Sequence, residues 1–423
     1  MQKFLQIFKI PDLRKKVISI LFLLLVFRLA STIPIPGVNA EALKQLLSSN
    51  QLLGLLNIFS GGGLTNLSII MLGVGPYITA TIIMQLLTIV FPQLKKIYYE
   101  EGAIGQAKFN RMSRYLTVPL AMLQAYGFIN LLISQKVLQH LNVISMLENV
   151  LTITAGSLFL MWIGELISDY KLGNGISLII FAGIVSRLPQ EINSIFVNYH
   201  PSQLPNYIAF LIVAILVIGG VTFINESEKK IPISYAKQIR GMKMYGGASS
   251  YLPLKINQAG VIPIIFAISL LLFPQFFAQA SAIFSKSLSI TLTNWSNQFF
   301  NNVVLYSLFY FILVILFTYF YTAITFDPNE IAKNLQKSGA FIPGIRPGET
   351  TAQFIKKTMN RITLLGAIFL GIAAILPNIL GIIMGNRNMS IGGTSILIVV
   401  AVALEVMKAL ESQLTMREYE SIM

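Results

Sequence analysis

Cysteine is absent from the 423-residue chain, which excludes disulfide frameworks, thiol nucleophiles, iron–sulfur clusters and thiolate zinc sites. Histidine is nearly absent, with only His140 and His200, and aspartate is confined to Asp12, Asp169 and Asp327. Charged residues make up 11% of the chain, against about 25% in an ordinary soluble domain. The sequence has no Walker loop, no full dinucleotide fingerprint and no His-Glu-x-x-His; Gly173-Asn-Gly175 is a lone glycine pair that reads as a tight turn. Both histidines fall outside the apolar runs, so a Ser–His dyad within a membrane lacks its base. These absences argue against an enzyme, and no cofactor or metal is expected.

What is abundant is apolar: 55% of the residues are hydrophobic. Crossing a hydrocarbon core takes about 20 helical residues. Runs of that order fall at roughly 17–35, 67–91, 115–133, 150–168, 206–224, 258–273, 303–325, 362–383 and 393–411. A shorter run at about 176–188 is counted as a tenth span. Asp169-Tyr-Lys-Leu-Gly-Asn-Gly175 before it and Arg187-Leu-Pro-Gln-Glu191 after it read as turns on opposite sides. Segments of helical length satisfy their own backbone in lipid, so an all-α polytopic membrane protein is expected.

The net charge of +14 is resolved by topology. If ten spans alternate, only Lys44, Lys136, Arg187, Lys286 and Arg387 fall on one side, and Arg28 lies within the first run. Every other basic residue shares the side of both termini, which the positive-inside rule assigns to the cytoplasm or stroma. The basic N-terminus and the run after it raise a cleavable signal peptide. No small-x-small site follows, and the first span is expected to be retained.

Two segments on the basic side, 225–257 and 326–361, are the largest hydrophilic pieces. A positive-inside signal accounts for most of their lysines. It leaves unexplained the arginines set among glycine and proline, in Arg240-Gly-Met-Lys-Met-Tyr-Gly-Gly247 and Gly344-Ile-Arg-Pro-Gly-Glu349, which suggest presentation to a partner. The approach to span 2, Asn57-Ile-Phe-Ser-Gly-Gly-Gly-Leu-Thr-Asn-Leu67, is glycine-rich, and Gly73-Val-Gly-Pro-Tyr77 breaks the run itself. Gly260-Val-Ile-Pro263 interrupts span 7 at the matching position of a five-plus-five repeat. Irregular backbone at membrane depth needs protein or a water-filled cavity beside it, and matched interruptions point to a pathway between repeats, although glycine and proline are common in membrane helices generally. The candidates for deep ionisable groups are Arg28, Glu165 and Glu405, with both glutamates near the inner ends of their spans. That is thin apparatus for coupled transport. A pore lined by apolar residues and closed by dewetting fits better.

Several stretches resemble the SecY family, the central subunit of the Sec protein-translocation channel. They are Ile33-Pro-Ile-Pro-Gly37, Phe59-Ser-Gly-Gly62, Gly75-Pro-Tyr-Ile78, Ile163-Gly-Glu165, Gly173-Asn-Gly-Ile-Ser177, Leu252-Pro-Leu-Lys-Ile-Asn257 with Ala259-Gly-Val-Ile-Pro263, Lys337-Ser-Gly-Ala-Phe-Ile-Pro-Gly-Ile-Arg-Pro-Gly-Glu349 and Gly392-Gly-Thr-Ser395. The resemblance covers nearly the whole chain, in order. It implies ten transmembrane helices in two pseudo-symmetric five-helix halves around a pore. Residues 1–190 would hold spans 1–5 with a plug at about 57–72, and residues 191–423 spans 6–10 with the two basic loops.

The same resemblance implies an aliphatic waist ring of Val74, Ile78, Ile176, Ile180, Ile265 and Ile398. Val74 departs from the bulkier isoleucine usual there, which should loosen the seal slightly. Ser60, Gly61, Gly62, Gly63, Leu64 and Leu67 would belong to a plug helix whose glycines make it marginally stable. Gln85 and Asn257 resemble polar residues at a lateral gate between spans 2 and 7, and Arg240, Lys243 and Arg346 match positions that dock the ribosome or the motor ATPase SecA. Implied partners are SecE, often SecG, SecA, the ribosome, signal-bearing precursors and the bilayer. A bacterial inner membrane or a plastid thylakoid would house the chain, and an Ile-, Asn- and Lys-rich composition with short tails leans toward the plastid. Two alternatives stand beside this reading. A secondary transporter of small solutes would need a deep acid or base, and an assembly scaffold without a pore would have no use for broken spans.

Overall fold

The computed structural model describes all of the chain except residues 1–9, 36–56, 58–59, 61, 100, 136, 139–140, 198–200, 202–203, 236–237, 241–242, 246–248, 282–284, 384–387 and 423. The helices are α1 (Pro11–Ala30), α2 (Gly75–Val90), α3 (Pro92–Tyr99), α4 (Gly102–Ser134), α5 (Val143–Asp169), α6 (Gly175–Val185), α7 (Leu188–Val197) and α8 (Leu204–Glu226). Strands β1 (Glu228–Tyr235), β2 (Gln238–Arg240), β3 (Lys243–Tyr245) and β4 (Ser249–Lys255) follow. Then come α9 (Ile262–Ala280), α10 (Lys286–Asn301), α11 (Val303–Thr325), α12 (Pro328–Lys337), β5 (Ala340–Phe341), α13 (Glu349–Ile383) and α14 (Asn388–Ile422).

Among the described residues, α4, α5, α8, α11 and α13 are long and apolar enough to cross a bilayer, and α2 with α3 makes a sixth if the 116° bend between them lies within one span. Helices α6 and α9 are apolar but shorter. Helix α1 carries Asp12, Arg14, Lys15, Lys16 and Arg28, too many charges to qualify on composition. Ten spans therefore exceed what length and hydropathy alone identify. The short tenth run forms α6, whose 11 residues reach only about 16 Å at 1.5 Å per residue. It packs against α1, α5 and α14. Gly175 at its start lies so close to Gly164 of α5 that a Cβ would collide with the Gly164 carbonyl oxygen.

Helices α1, α2, α4, α5 and α6 pack on one another, as do α8, α9, α11, α13 and α14. The two groups meet along two lines, α9 against α2 and α4, and α14 against α6. Both interrupted runs share one local geometry. Gly73 (φ 59°) and Gly260 (φ 61°) take left-handed backbone, and two residues later α2 and α9 begin, each with proline second, Pro76 and Pro263. A left-handed glycine turns the chain without a Cβ clash, and proline suits a first helical turn because its missing N–H would be unpaired there anyway.

The segments 225–257 and 326–361 are not separate loops. β4, β1 and β5 form one antiparallel sheet in that order, with Glu228 opposite Lys255 at one end of the β1–β4 ladder and Ser234 opposite Phe341 where β5 joins. Ile231, Leu254, Ile342, Ile355 and Met359 give this module its own apolar core. α12 begins on Asp327, whose carboxylate accepts the Asn329 N–H at 2.8 Å. The last part of the expected loop is already helix, since α13 begins at Glu349.

Candidate functional site

The residues expected at a waist lie in the apolar interior or at its edge. Val74, Ile78, Ile180, Ile265 and Ile398 are each at most 4% exposed. They arrive on four helices, α2, α6, α9 and α14, with Val74 as the N-cap of α2. All five belong to one continuous apolar cluster, and Ile176 packs on its edge. Ile176 is half-buried, with its Cδ1 against Gly164 of α5. A cluster of this kind offers a polypeptide no hydrogen bond and water no partner.

The expected plug helix is instead a chain of tight turns. Gly63, Thr65, Leu67, Met71 and Gly73 each donate their N–H to the carbonyl three residues back. Leu67 takes a positive φ of 41°, which a helix does not contain. Three clustered glycines disfavour helix, and the segment is held by other means. Ile35 N–H donates to Leu67 O at 2.9 Å and Ile69 N–H to Ile33 O at 3.1 Å, tying it to the strand-like exit from α1. Ser60 Oγ accepts the Leu64 N–H at 3.2 Å. Leu64 and Leu67 are buried in the same cluster as the waist residues. Gly61 lies outside the described residues.

Asn57 Nδ2 donates to Thr65 Oγ1 at 2.9 Å, and that hydroxyl stands 3.2 Å from Asn57 Oδ1. Thr65→Val removes both contacts, which leaves the buried Asn57 side chain unpaired among the described residues. Losing a hydrogen bond and stranding its partner costs roughly 1–3 kcal/mol. Amide hydrogen exchange of residues 62–68 should accelerate about ten-fold, while exchange in α13 stays as it was.

Arg28, expected deep in the first span, lies at the end of α1, where its Nη1 donates to Ser31 Oγ at 3.4 Å. A Cβ on Gly62 would stand 3.7 Å from that Nη1 and 3.4 Å from Arg187 Cδ, so two arginines flank this turn. Glu165 is held by Arg114 of α4, Nε to Oε1 at 3.0 Å.

Gln85 and Asn257, expected at a gate between spans 2 and 7, are both buried, Gln85 on α2 and Asn257 between β4 and α9. No hydrogen bond joins them among the described residues. Asn257 Nδ2 donates to Asn225 Oδ1 at 2.7 Å and to Gly260 O at 3.1 Å. Gln85 Oε1 and Asn257 Oδ1 have no donor among the described residues. Buried acceptors without partners each cost on the order of 1–3 kcal/mol.

Arg240 and Lys243 are cross-strand partners of the β2–β3 hairpin, where the backbone alone is described. Arg346 is exposed on a turn fixed by backbone contacts. Ile345 N–H donates to Ile342 O at 3.1 Å, and Thr351 Oγ1 donates to Arg346 O at 2.8 Å. Its guanidinium has no partner among the described residues.

With this geometry in place, comparison with known proteins is decisive. The SecY family model matches residues 68–407. The chain belongs to the SecY family. It is 41% identical to the protein translocase subunit SecY of Corynebacterium glutamicum, with each chain covered in full. Against the subunit of the same name from Mycobacterium tuberculosis it is 39% identical, with 99% of each chain covered. Among solved structures it is similar to a protein-conducting channel, at TM-score 0.62 and 20% identity, over 93% of this chain and 90% of that one. It is also similar to Sec61 of the canine ribosome–channel complex from the endoplasmic reticulum, at TM-score 0.58 and 19% identity, again over 93% and 90%. These structures share the fold.

Within the SecY family fold, sequence reasoning missed three features. The first is the single sheet uniting both basic segments. The second is the pair of arginines, Arg28 and Arg187, beside Gly62. The third is the partnership of Asn257 with Asn225, together with Lys408 of α14, whose Nζ donates to Asn225 O at 2.9 Å and pairs with Glu226 Oε1 at 2.9 Å. Asn225 and Glu226 close an apolar helix just before a basic strand, and that composition break was the available signal. The small-solute alternative has no support in the relatives, and Arg28, the one candidate for the deep group it would need, sits in the last turn of α1.

Proposed function

We propose that this chain is the channel of a Sec translocase, moving unfolded, signal-bearing polypeptides across a membrane and releasing apolar segments sideways into lipid, with an external motor or ribosome as the driver. The observation that carries this reading is that Val74, Ile78, Ile180, Ile265 and Ile398, drawn from four helices, are buried in the same extended apolar cluster as Leu64 and Leu67 of the plug segment. Apolar side chains from separate helices can part around a passing chain and close again without leaving a polar group unpaired.

The full architecture is ten spans in two five-helix halves, 1–190 and 191–423, with both termini on the side of the sheet module. It is supported by the two packing groups, by the matched starts of α2 and α9, and by the basic residues that share one side. Lateral release is between α2 and α9. Arg240, Lys243 and Arg346 dock the driver, SecA or the ribosome, and SecE with SecG completes the complex. The bacterial relatives favour an inner membrane, and the Ile-, Asn- and Lys-rich composition favours a thylakoid with the same machinery.

The test is a precursor stalled in transit, with a photo-crosslinker placed in turn at Ile78, Ile180 and Ile398. Adducts are expected at all three and none at Ile355, which is equally buried but lies in the core of the sheet module. Adducts confined to one waist position, or as frequent at Ile355, would remove the waist assignment.

A further inference from the structure

The sheet module stands on two feet, and both are tied at one point. Its first strand leaves α8 at Asn225-Glu226-Ser227, and its last returns through Lys255-Ile256-Asn257 to the turn that begins α9. Ile256 N–H donates to Ser227 O at 3.0 Å, so the ladder continues to its base. There Asn257 Nδ2 bridges Asn225 Oδ1 of the other foot, at 2.7 Å, and Gly260 O of its own turn, at 3.1 Å. Lys408 Nζ, from α14, reaches Asn225 O and Glu226 Oε1, each at 2.9 Å. One turn earlier on α14, Glu405 interacts electrostatically with Lys255 on the second foot. α13 backs the joint, since a Cβ on Gly366 would come within 2.8 Å of Ile256 O.

Above the feet, β1 pairs with β4 along its length and with β5 at its far end. The eight residues of β1 extend roughly 26 Å at about 3.3 Å each. Arg346 follows β5 directly, and Arg240 and Lys243 lie between β1 and β4. Below the feet, Ile265 enters the waist from the first turn of α9, the helix that also forms the seam with α2.

We propose that Asn225, Asn257 and Lys408 form the joint that couples the sheet module to α9, so that load from a docked driver is delivered to the seam and the waist. They are positioning residues, acting through α9 without touching the translocating chain. This inference rests on the function proposed above. It adds the route by which docking reaches the gate, with α14 as the fixed post.

Because the chain has no cysteine, spin labels can be placed at Leu86→Cys on α2 and Leu270→Cys on α9 alone, both partly exposed sites. Label separation is measured in the reconstituted complex with and without SecA and a non-hydrolysable ATP analogue, and SecA affinity is measured in the same samples. In the otherwise unmodified chain, docking should shift the separation. In Lys408→Met, SecA should bind with unchanged affinity and the shift should be lost, and Lys408→Arg, which keeps a cation within reach of the same acceptors, should restore it. If Lys408→Met does not assemble, Asn225→Ala serves instead, since it removes the acceptor for Asn257 but keeps the carbonyl that Lys408 reaches. A full shift in the variant that assembles overturns the joint, and so does a loss of SecA affinity that accompanies loss of the shift. Bound SecA with no shift in the unmodified pair also overturns it while leaving the channel reading standing. Failure of SecA to bind the unmodified pair overturns the docking reading, and the joint with it.

Discussion

Arg346→Glu should abolish most motor-driven transport while leaving the chain folded. The guanidinium is exposed and free of internal partners among the described residues, and its turn is built from backbone contacts that the side chain does not enter. Surface substitutions of that kind usually change stability by less than about 0.5 kcal/mol. A partner that presents carboxylates or phosphates to this arginine loses a charge-assisted bond and gains a repulsion, at a cost of roughly 2–4 kcal/mol. Every 1.4 kcal/mol is ten-fold, so affinity should fall on the order of 30- to 1,000-fold. ATP-driven translocation in proteoliposomes should fall with it, while the melting temperature stays put. Binding of the unmodified chain should also weaken as salt rises, because the contact is exposed to screening. Normal ATP-driven transport by Arg346→Glu would sink the docking role.

The reading of the sequence was most accurate where physics is local. The run at 303–325 coincides with α11, because Asn302 caps its start by accepting the Leu305 N–H and Asp327-Pro328 opens the next helix. The repeated Gly-Val-x-Pro was legible because a left-handed glycine and a proline in the first turn are set by the residues themselves. Helix ends that continue past the apolar run, as in α4 and α13, were not, since nothing in hydropathy marks a polar extension. The sheet was missed for a different reason. β5 has two residues, too few to carry a period, and its partner β1 is about a hundred positions away. The same distance problem hid the partners of Asn257. Its motif marked a gate residue, but its partner Asn225 is 32 positions back, and Lys408, which reaches the Asn225 carbonyl, is 183 positions beyond that. Of the site residues, the six expected waist positions were each marked by a motif; five are buried in the apolar interior and Ile176 packs on its edge.

Ile180→Thr combined with Ile398→Thr should make the resting channel leak ions. Both positions are at most 1% exposed, on α6 and α14, in the apolar cluster proposed above to close the waist. Threonine keeps the branched shape, so packing changes little, but each hydroxyl now sits in a dry cluster with no designed partner. Burying an unpaired hydroxyl costs about 1–3 kcal/mol by mutational measures. Water entering the waist relieves that cost, so the wet state gains what the dry state has lost. At the low end, two hydroxyls shift the balance by about 2 kcal/mol, roughly 30-fold toward a hydrated waist. Ion efflux from proteoliposomes should rise by a comparable factor without any precursor present. The matched control is Ile355→Thr, an equally buried isoleucine in the core of the sheet module. It pays the same burial penalty, so it should lower the melting temperature and leave the membrane tight. If the control leaks as much as the double variant, the leak reports lost stability. If the double variant stays sealed while folded, the cluster at Ile180 and Ile398 is ordinary packing and the barrier to ions lies elsewhere.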